Sequence, residues 1–84
     1  MIEAKEIETE LLAFLQREVF AAEMKLTPET DLVAAGFDSM SLVRLLLFIE
    51  TEYGFWIPES EITGDALGNL RTLAGTIARL LNER

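Results

Sequence analysis

The sequence contains no cysteine and no histidine. The absence of cysteine excludes a disulfide, a thiolate zinc site and a cysteine nucleophile within these 84 residues. The absence of histidine removes the side chain that most often acts as a general base near neutral pH and as a metal ligand. Asp31 and Asp38 lack the spacing of a calcium loop. The chain is therefore a poor candidate for an enzyme, and we expect no metal site.

Basic residues and long hydrophobic runs are also scarce. Seven basic residues against fifteen acidic ones give a net charge of −8, which repels nucleic-acid backbones and favours partners with basic surfaces. The alternative is that this charge only keeps the protein soluble. The longest apolar run, Leu45 to Ile49, is far shorter than the roughly 20 residues of a membrane span. The acidic start does not resemble a signal peptide. We expect one soluble, cytoplasmic domain over residues 1–84.

Hydrophobic periodicity predicts an all-α fold. Helical spacing of apolar residues predicts a first helix over about residues 3–20 and a last helix over about 70–81. Pro58 and the glutamates after it predict a short helix between them. We expect Thr72 to cap the last helix and Gly75 to allow close packing there. With the helix described next, the sequence predicts a small four-helix bundle of three main helices and one short helix.

The middle helix is apolar on two faces. It should begin at Asp38 or Ser39 and end near Tyr53, with Gly54 as a left-handed cap. One face, predicted to join the core, carries Leu42, Leu45, Leu46, Ile49 and Tyr53. The nearly opposite face carries Met40, Val43, Leu47 and Thr51, with Arg44 beside them. A second apolar face predicts either a docking surface or cover by another part of the chain.

The connection over residues 21–37 is the candidate for that cover. Four of its apolar residues are expected to fold onto the core, namely Leu26, Leu32, Val33 and Phe37. If the same connection covers Val43 and Leu47, the second face of the middle helix is not a docking surface. A connection of this length inside a compact domain is more often functional than idle.

Ser39 lies where the long connection enters the middle helix, within Gly36-Phe37-Asp38-Ser39-Met40. Free backbone N–H groups and the positive end of the helix dipole make such a position favourable for a phosphate. Gly36 permits a sharp turn into the helix, and Asp38 can cap it. The alternative is that Asp38 and Ser39 are ordinary capping residues.

This motif and its surroundings resemble the attachment region of acyl and peptidyl carrier proteins, over about residues 7–82. The resemblance includes the Thr-Pro-Glu-Thr-Asp-Leu loop at 27–32, the helix after Ser39, the Tyr-Gly-Phe-Trp-Ile-Pro step at 53–58 and the Leu-Arg-Thr-Leu-Ala entry at 70–74. It implies a helical bundle of the acyl-carrier-protein type. It also implies that Ser39 bears 4′-phosphopantetheine, installed from coenzyme A by a phosphopantetheinyl transferase that binds magnesium, and that Asp38 helps to position Ser39.

The resemblance further implies a non-catalytic, monomeric carrier that holds an acyl or aminoacyl group as a thioester on the arm. The implied partners are an adenylating acyl or aminoacyl ligase or an acyltransferase, followed by synthase or tailoring enzymes. The residues implied to contribute to docking are Met40, Val43, Arg44 and Leu47.

Departures from the pattern of fatty-acid carriers indicate which group of carrier proteins the chain resembles. Ser41 and Arg44 stand where fatty-acid carriers tend to have acids, and the stretch over 61–69 is longer than in that group. The chain therefore resembles stand-alone carriers that serve adenylating ligases, of the D-alanyl, aminoacyl or natural-product type. The cargo is left open. A different function also remains open, because an acidic helical interaction module or small-protein inhibitor without a prosthetic group would present the same surface.

Overall fold

The structure, a computed structural model, describes residues 2–83 and contains three α-helices in that range. They are α1 (Ala4–Glu18), α2 (Ser39–Tyr53) and α3 (Leu70–Glu83). Between α2 and α3 lie two 3₁₀ turns, Glu59–Glu61 and Ala66–Gly68. No strand forms among these residues. The predicted all-α bundle is confirmed, and the short helix predicted after Pro58 is present as the 3₁₀ turn Glu59–Glu61.

The core is built from one apolar face of each helix. α1 and α3 pack directly on each other, and fully buried side chains from all three helices meet between them. Burying a Leu or Ile side chain contributes about 1.5–3 kcal/mol to folding. The large side chains of the helices that are fully buried are Ile7, Leu11, Leu15, Leu45, Ile49, Leu70, Leu73 and Ile77.

The ends of α2 follow the sequence prediction. The helix begins at Ser39 and ends at Tyr53, where Gly54 adopts a left-handed φ of 67° and its N–H donates to the carbonyl oxygen of Glu50 at 2.8 Å. The predicted core face of α2 is buried from Leu42 to Ile49. Tyr53, at the end of that face, is only half-buried, and its hydroxyl donates to Glu10 Oε1 of α1 at 2.5 Å.

The connection over residues 19–38 is fastened to the core and to α3. Leu26, Leu32 and Phe37 are buried, as predicted. Val33 is 57% exposed, so the prediction for this residue is wrong. The chain turns tightly over residues 31–36, and within that turn Leu32 faces the core while the adjacent Val33 faces solvent.

Arg71 of α3 anchors the middle of the connection. Its backbone N–H donates to the carbonyl oxygen of Pro28 at 3.0 Å, and its guanidinium lies 2.5 Å from Glu29 and 3.7 Å from the buried Glu8 of α1. A single side chain thus joins α1, α3 and the connection that leads into α2.

Two expectations for the last helix are wrong. The helix is capped by Asn69, whose Oδ1 accepts the Thr72 N–H at 2.8 Å, so Thr72 supplies a donor of the first turn rather than the cap. Gly75 makes no close packing contact, because a Cβ placed on it would meet nothing within 4 Å. Nearer the middle of the chain, Pro58 precedes the first 3₁₀ turn, and the second lies in the stretch that leads to α3.

Among residues 2–83, no helix has both the length and the apolar character needed to cross a membrane.

Candidate functional site

A glycine turn delivers the chain to the start of α2. Gly36 has a φ of 108°, a conformation that other residues rarely adopt. The next residue, Phe37, is buried, and its N–H donates to the carbonyl oxygen of Leu32 at 2.9 Å. The turn and the buried ring hold the backbone in place, so that Asp38 and Ser39 emerge on the surface.

Asp38 is the N-cap of α2, as predicted. Its backbone is extended, and its Oδ1 accepts the Ser41 N–H at 2.9 Å and the Ser41 hydroxyl at 3.0 Å. These two hydrogen bonds, led by the one from the backbone, lower the pKa of the Asp38 carboxyl. The carboxylate is therefore charged at neutral pH and is engaged in holding the first turn, with Ser41 buried beneath it.

Ser39 is the first residue of α2, and it is exposed. It stands at the positive end of a fifteen-residue helix, where partial positive charge and N–H groups favour a bound phosphate. The site fits a phosphodiester on the Ser39 oxygen, because the position is open to solvent and Asp38 is turned towards its own hydrogen bonds with Ser41.

The second apolar face of α2 is open. Met40 is 70% exposed, Val43 43% and Leu47 52%, and Arg44 and Thr51 are exposed beside them. The alternative in which the long connection covers Val43 and Leu47 is therefore wrong. We call Met40, Val43 and Leu47 the outer face of α2. That it docks partners stays a prediction.

A groove between α1 and α2 adjoins the outer face. Phe14 of α1 stacks on Phe48 of α2, with ring centroids 4.3 Å apart and an interplanar angle of 16°. Beside this pair is an open space of about 300 Å³, which is lined by Phe14, Arg17, Glu18, Arg44, Leu47, Phe48 and Thr51. Glu18 pairs with both arginines, at 2.9 Å from Arg17 and 3.5 Å from Arg44.

Sequence reasoning did not find this groove. The periodicity of one helix places its residues on faces but does not say which face of a neighbouring helix lies beside it. Phe14 was recognisable only as an apolar residue of the first helix, and Arg17 and Glu18 only as charges. Among residues 2–83, no cluster of acidic side chains could hold a metal ion.

Residues 9–80 match the family described as phosphopantetheine attachment site. The chain is 41% identical to aminoacyl carrier protein 1 of Bradyrhizobium diazoefficiens over 59 residues, which cover 70% of the chain and 63% of that relative. It is 33% identical to aminoacyl carrier protein 2 of the same organism over 69 residues, covering 82% of the chain and 72% of that relative. The chain thus spans less than two thirds of the first of these relatives.

The fold is also similar to one in a crystal structure of Bradyrhizobium japonicum glycine:[carrier protein] ligase complexed with glycylated carrier protein. The TM-score is 0.62 and the sequence identity 33%, over 87% of the chain and 96% of the matched chain.

Proposed function

Since the chain belongs to the phosphopantetheine attachment family, we propose that it is a non-enzymatic aminoacyl carrier whose Ser39 bears the prosthetic arm. The observation that carries this proposal is the exposed serine at the first position of α2, within the segment that matches the family. When attached, 4′-phosphopantetheine supplies the thiol that holds the cargo as a thioester.

The hydroxyl oxygen of Ser39 is the atom to which the arm is attached, and the attachment reaction needs a partner enzyme. In the attachment step a bond forms between the Ser39 oxygen and a phosphorus of coenzyme A, and the pyrophosphate bond breaks to release adenosine 3′,5′-bisphosphate. The serine proton must pass to a base. Asp38 is a weak base because its pKa is lowered and its carboxylate accepts both Ser41 hydrogen bonds. The base, like the magnesium, therefore belongs to the phosphopantetheinyl transferase.

Asp38 serves instead as a positioning residue. By capping α2 it fixes the first turn of the helix. It thereby fixes the direction in which the Ser39 hydroxyl points from the surface. The adjacent glycine turn and the buried Phe37 keep this end of α2 fixed while an enzyme approaches.

The cargo class we propose is an amino acid, loaded by an adenylating ligase and passed on to synthase or tailoring enzymes. The support is that both curated relatives are aminoacyl carrier proteins, and that the similar structure is a glycylated carrier bound to a glycine ligase. The chain itself departs from fatty-acid carriers at Ser41 and Arg44.

The test is the intact mass of the protein after treatment with coenzyme A, magnesium and a broad-specificity phosphopantetheinyl transferase, with fragmentation to locate the added group. We expect one arm, on Ser39. The Ser39→Ala variant should not accept the arm but should keep the helical circular dichroism of the wild type. The control variant Ser60→Ala, altered at another exposed serine, should accept the arm. A chain that stays unmodified, or that carries the arm elsewhere, contradicts the proposal and favours an interaction module without a prosthetic group.

A further inference from the structure

The groove between α1 and α2 reverses the sign of the protein's charge. The chain as a whole carries −8, but here Arg17 and Arg44 flank a single acid, Glu18. Each guanidinium has five N–H donors and accepts nothing. Two such groups sharing one carboxylate retain donors for a second carboxylate, so the groove is suited to an acidic group on another molecule.

The same groove offers an apolar contact. The stacked rings of Phe14 and Phe48 lie beside it, and Leu47, on its edge, leaves 52% of its side chain exposed. A contiguous apolar patch on the surface of a small domain, unlike a scattered single residue, is typical of an interaction site. An apolar centre with arginines at its edge has the composition of a protein–protein hot spot.

We propose that this groove docks the adenylating ligase that loads the carrier, through a ligase segment that places an apolar side chain against Phe14 and Phe48 and a carboxylate between Arg17 and Arg44. The inference rests on the proposed function and adds the chemistry by which the ligase recognises this carrier. Leu47 lies eight residues beyond Ser39, which is about 12 Å along the helix. A protein seated in the groove is therefore close to the attachment point.

A ligase that loads this carrier with an amino acid must distinguish it from fatty-acid carriers, which tend to have acids where this chain has Ser41 and Arg44. Specificity is a difference between two affinities. The basic groove therefore distinguishes this carrier better than its overall negative charge, which other acidic carriers share. A symmetric pair of chains joined through the groove would bring the same arginines of both copies face to face, and like charges in an interface are unfavourable. A second copy therefore fits the groove less well than an acidic partner.

The test compares charge reversals of matched exposure on holo-protein. Arg17→Glu and Arg44→Glu alter the groove, while Arg79→Glu makes the same change in net charge on α3, where Arg79 pairs with Glu83. The probe is the Bradyrhizobium japonicum glycine:[carrier protein] ligase with ATP and glycine. We expect kcat/KM to fall at least about tenfold for Arg44→Glu and Arg17→Glu, mainly through KM, and less than about twofold for Arg79→Glu. Arg44→Lys should keep part of the activity.

A second readout is the salt dependence of loading. The kcat/KM of the unaltered holo-protein should fall as salt is added, and that of Arg44→Glu should depend on salt less steeply, because the screened attraction has been removed. Circular dichroism of each variant checks that the fold is retained.

The outcomes separate this inference from the proposed function. Equal loading of all variants overturns the docking site and leaves the carrier role intact. An arm on Ser39 without any loading by the ligase overturns the ligase as the occupant. If Arg44→Glu no longer accepts the arm, the groove is assigned to the transferase instead. If Arg44→Glu sediments differently from the unaltered protein, the groove is assigned to self-association. Either result overturns the proposal. A chain that accepts no arm overturns the proposed function itself.

Discussion

The two faces of α2 carry similar side chains but have different surroundings. On the inner face Leu45 and Ile49 are completely buried, whereas on the outer face Val43 is 43% and Leu47 52% exposed. The residues of the inner face stabilise the bundle because folding removes their side chains from water. The outer ones contribute little to folding, and their apolar surface is available to another protein. The same residue type therefore serves stability on one side of the helix and recognition on the other.

The strongest test of this comparison is the same truncation on each face. Leu45→Ala should lower the free energy of unfolding by about 2–5 kcal/mol, because it removes buried methyl groups and leaves a cavity. Leu47→Ala should change it by less than about 0.5 kcal/mol. Urea unfolding followed by circular dichroism measures both. Equal losses would mean that the two faces do not differ as described.

A second test concerns the glycine turn that leads into α2. Gly36→Ala should lower the free energy of unfolding by about 1–3 kcal/mol, because φ is 108° there and a side chain strains that backbone. The cost is purely conformational, since a Cβ at Gly36 would meet nothing within 4 Å. Gly75→Ala in α3 is the matched control and should stabilise the protein by up to about 1 kcal/mol. A stabilising Gly36→Ala would contradict this assignment of the turn.

A third test addresses the end of the inner face. Tyr53→Phe removes the hydrogen bond to Glu10 and should lower the free energy of unfolding by about 1 kcal/mol. Burial and the adjacent Glu10 raise the pKa of Tyr53 above its usual value of 10.0. The contribution of Tyr53 is therefore fully present below pH 10 and is lost as the pH rises above it. Tyr53 is the sole tyrosine, so a comparison of the unfolding of wild type and Tyr53→Phe at several alkaline pH values isolates the effect of its ionisation on stability. Parallel pH profiles of the two proteins would argue against this effect.

The smallest expected effect lies at the first turn, where the two faces begin. The pKa of Asp38 is lowered in the folded protein, so its contribution to stability is present above the usual pKa of 3.8 and is lost as the pH falls below it. Asp38→Asn keeps an acceptor for the cap but cannot titrate. Its free energy of unfolding should therefore depend less on acid pH than that of the wild type. Asp38→Ala, which loses the cap, should be less stable than Asp38→Asn at neutral pH.

Local sequence signals predicted the helices and the geometry at the start of α2 well. The bounds of α2, the left-handed Gly54, the Asp38 cap and the exposure of Met40 all follow from patterns within one stretch of chain. Errors arose where the outcome depended on tertiary contacts or on a choice between neighbours. Val33 turned outward beside a buried Leu32, and Asn69 rather than Thr72 took the cap of α3.

The sequence by itself determined that the protein is helical and acidic, and that one serine stands at the start of an apolar helix. Periodicity, charge and capping are local properties, so they can be read along the chain. Only the tertiary structure decided that the outer face of α2 stays uncovered and that Phe14, Arg17 and Glu18 come to lie beside it. Those facts depend on how α1 packs against α2, and residues some thirty positions apart become neighbours only when the chain folds.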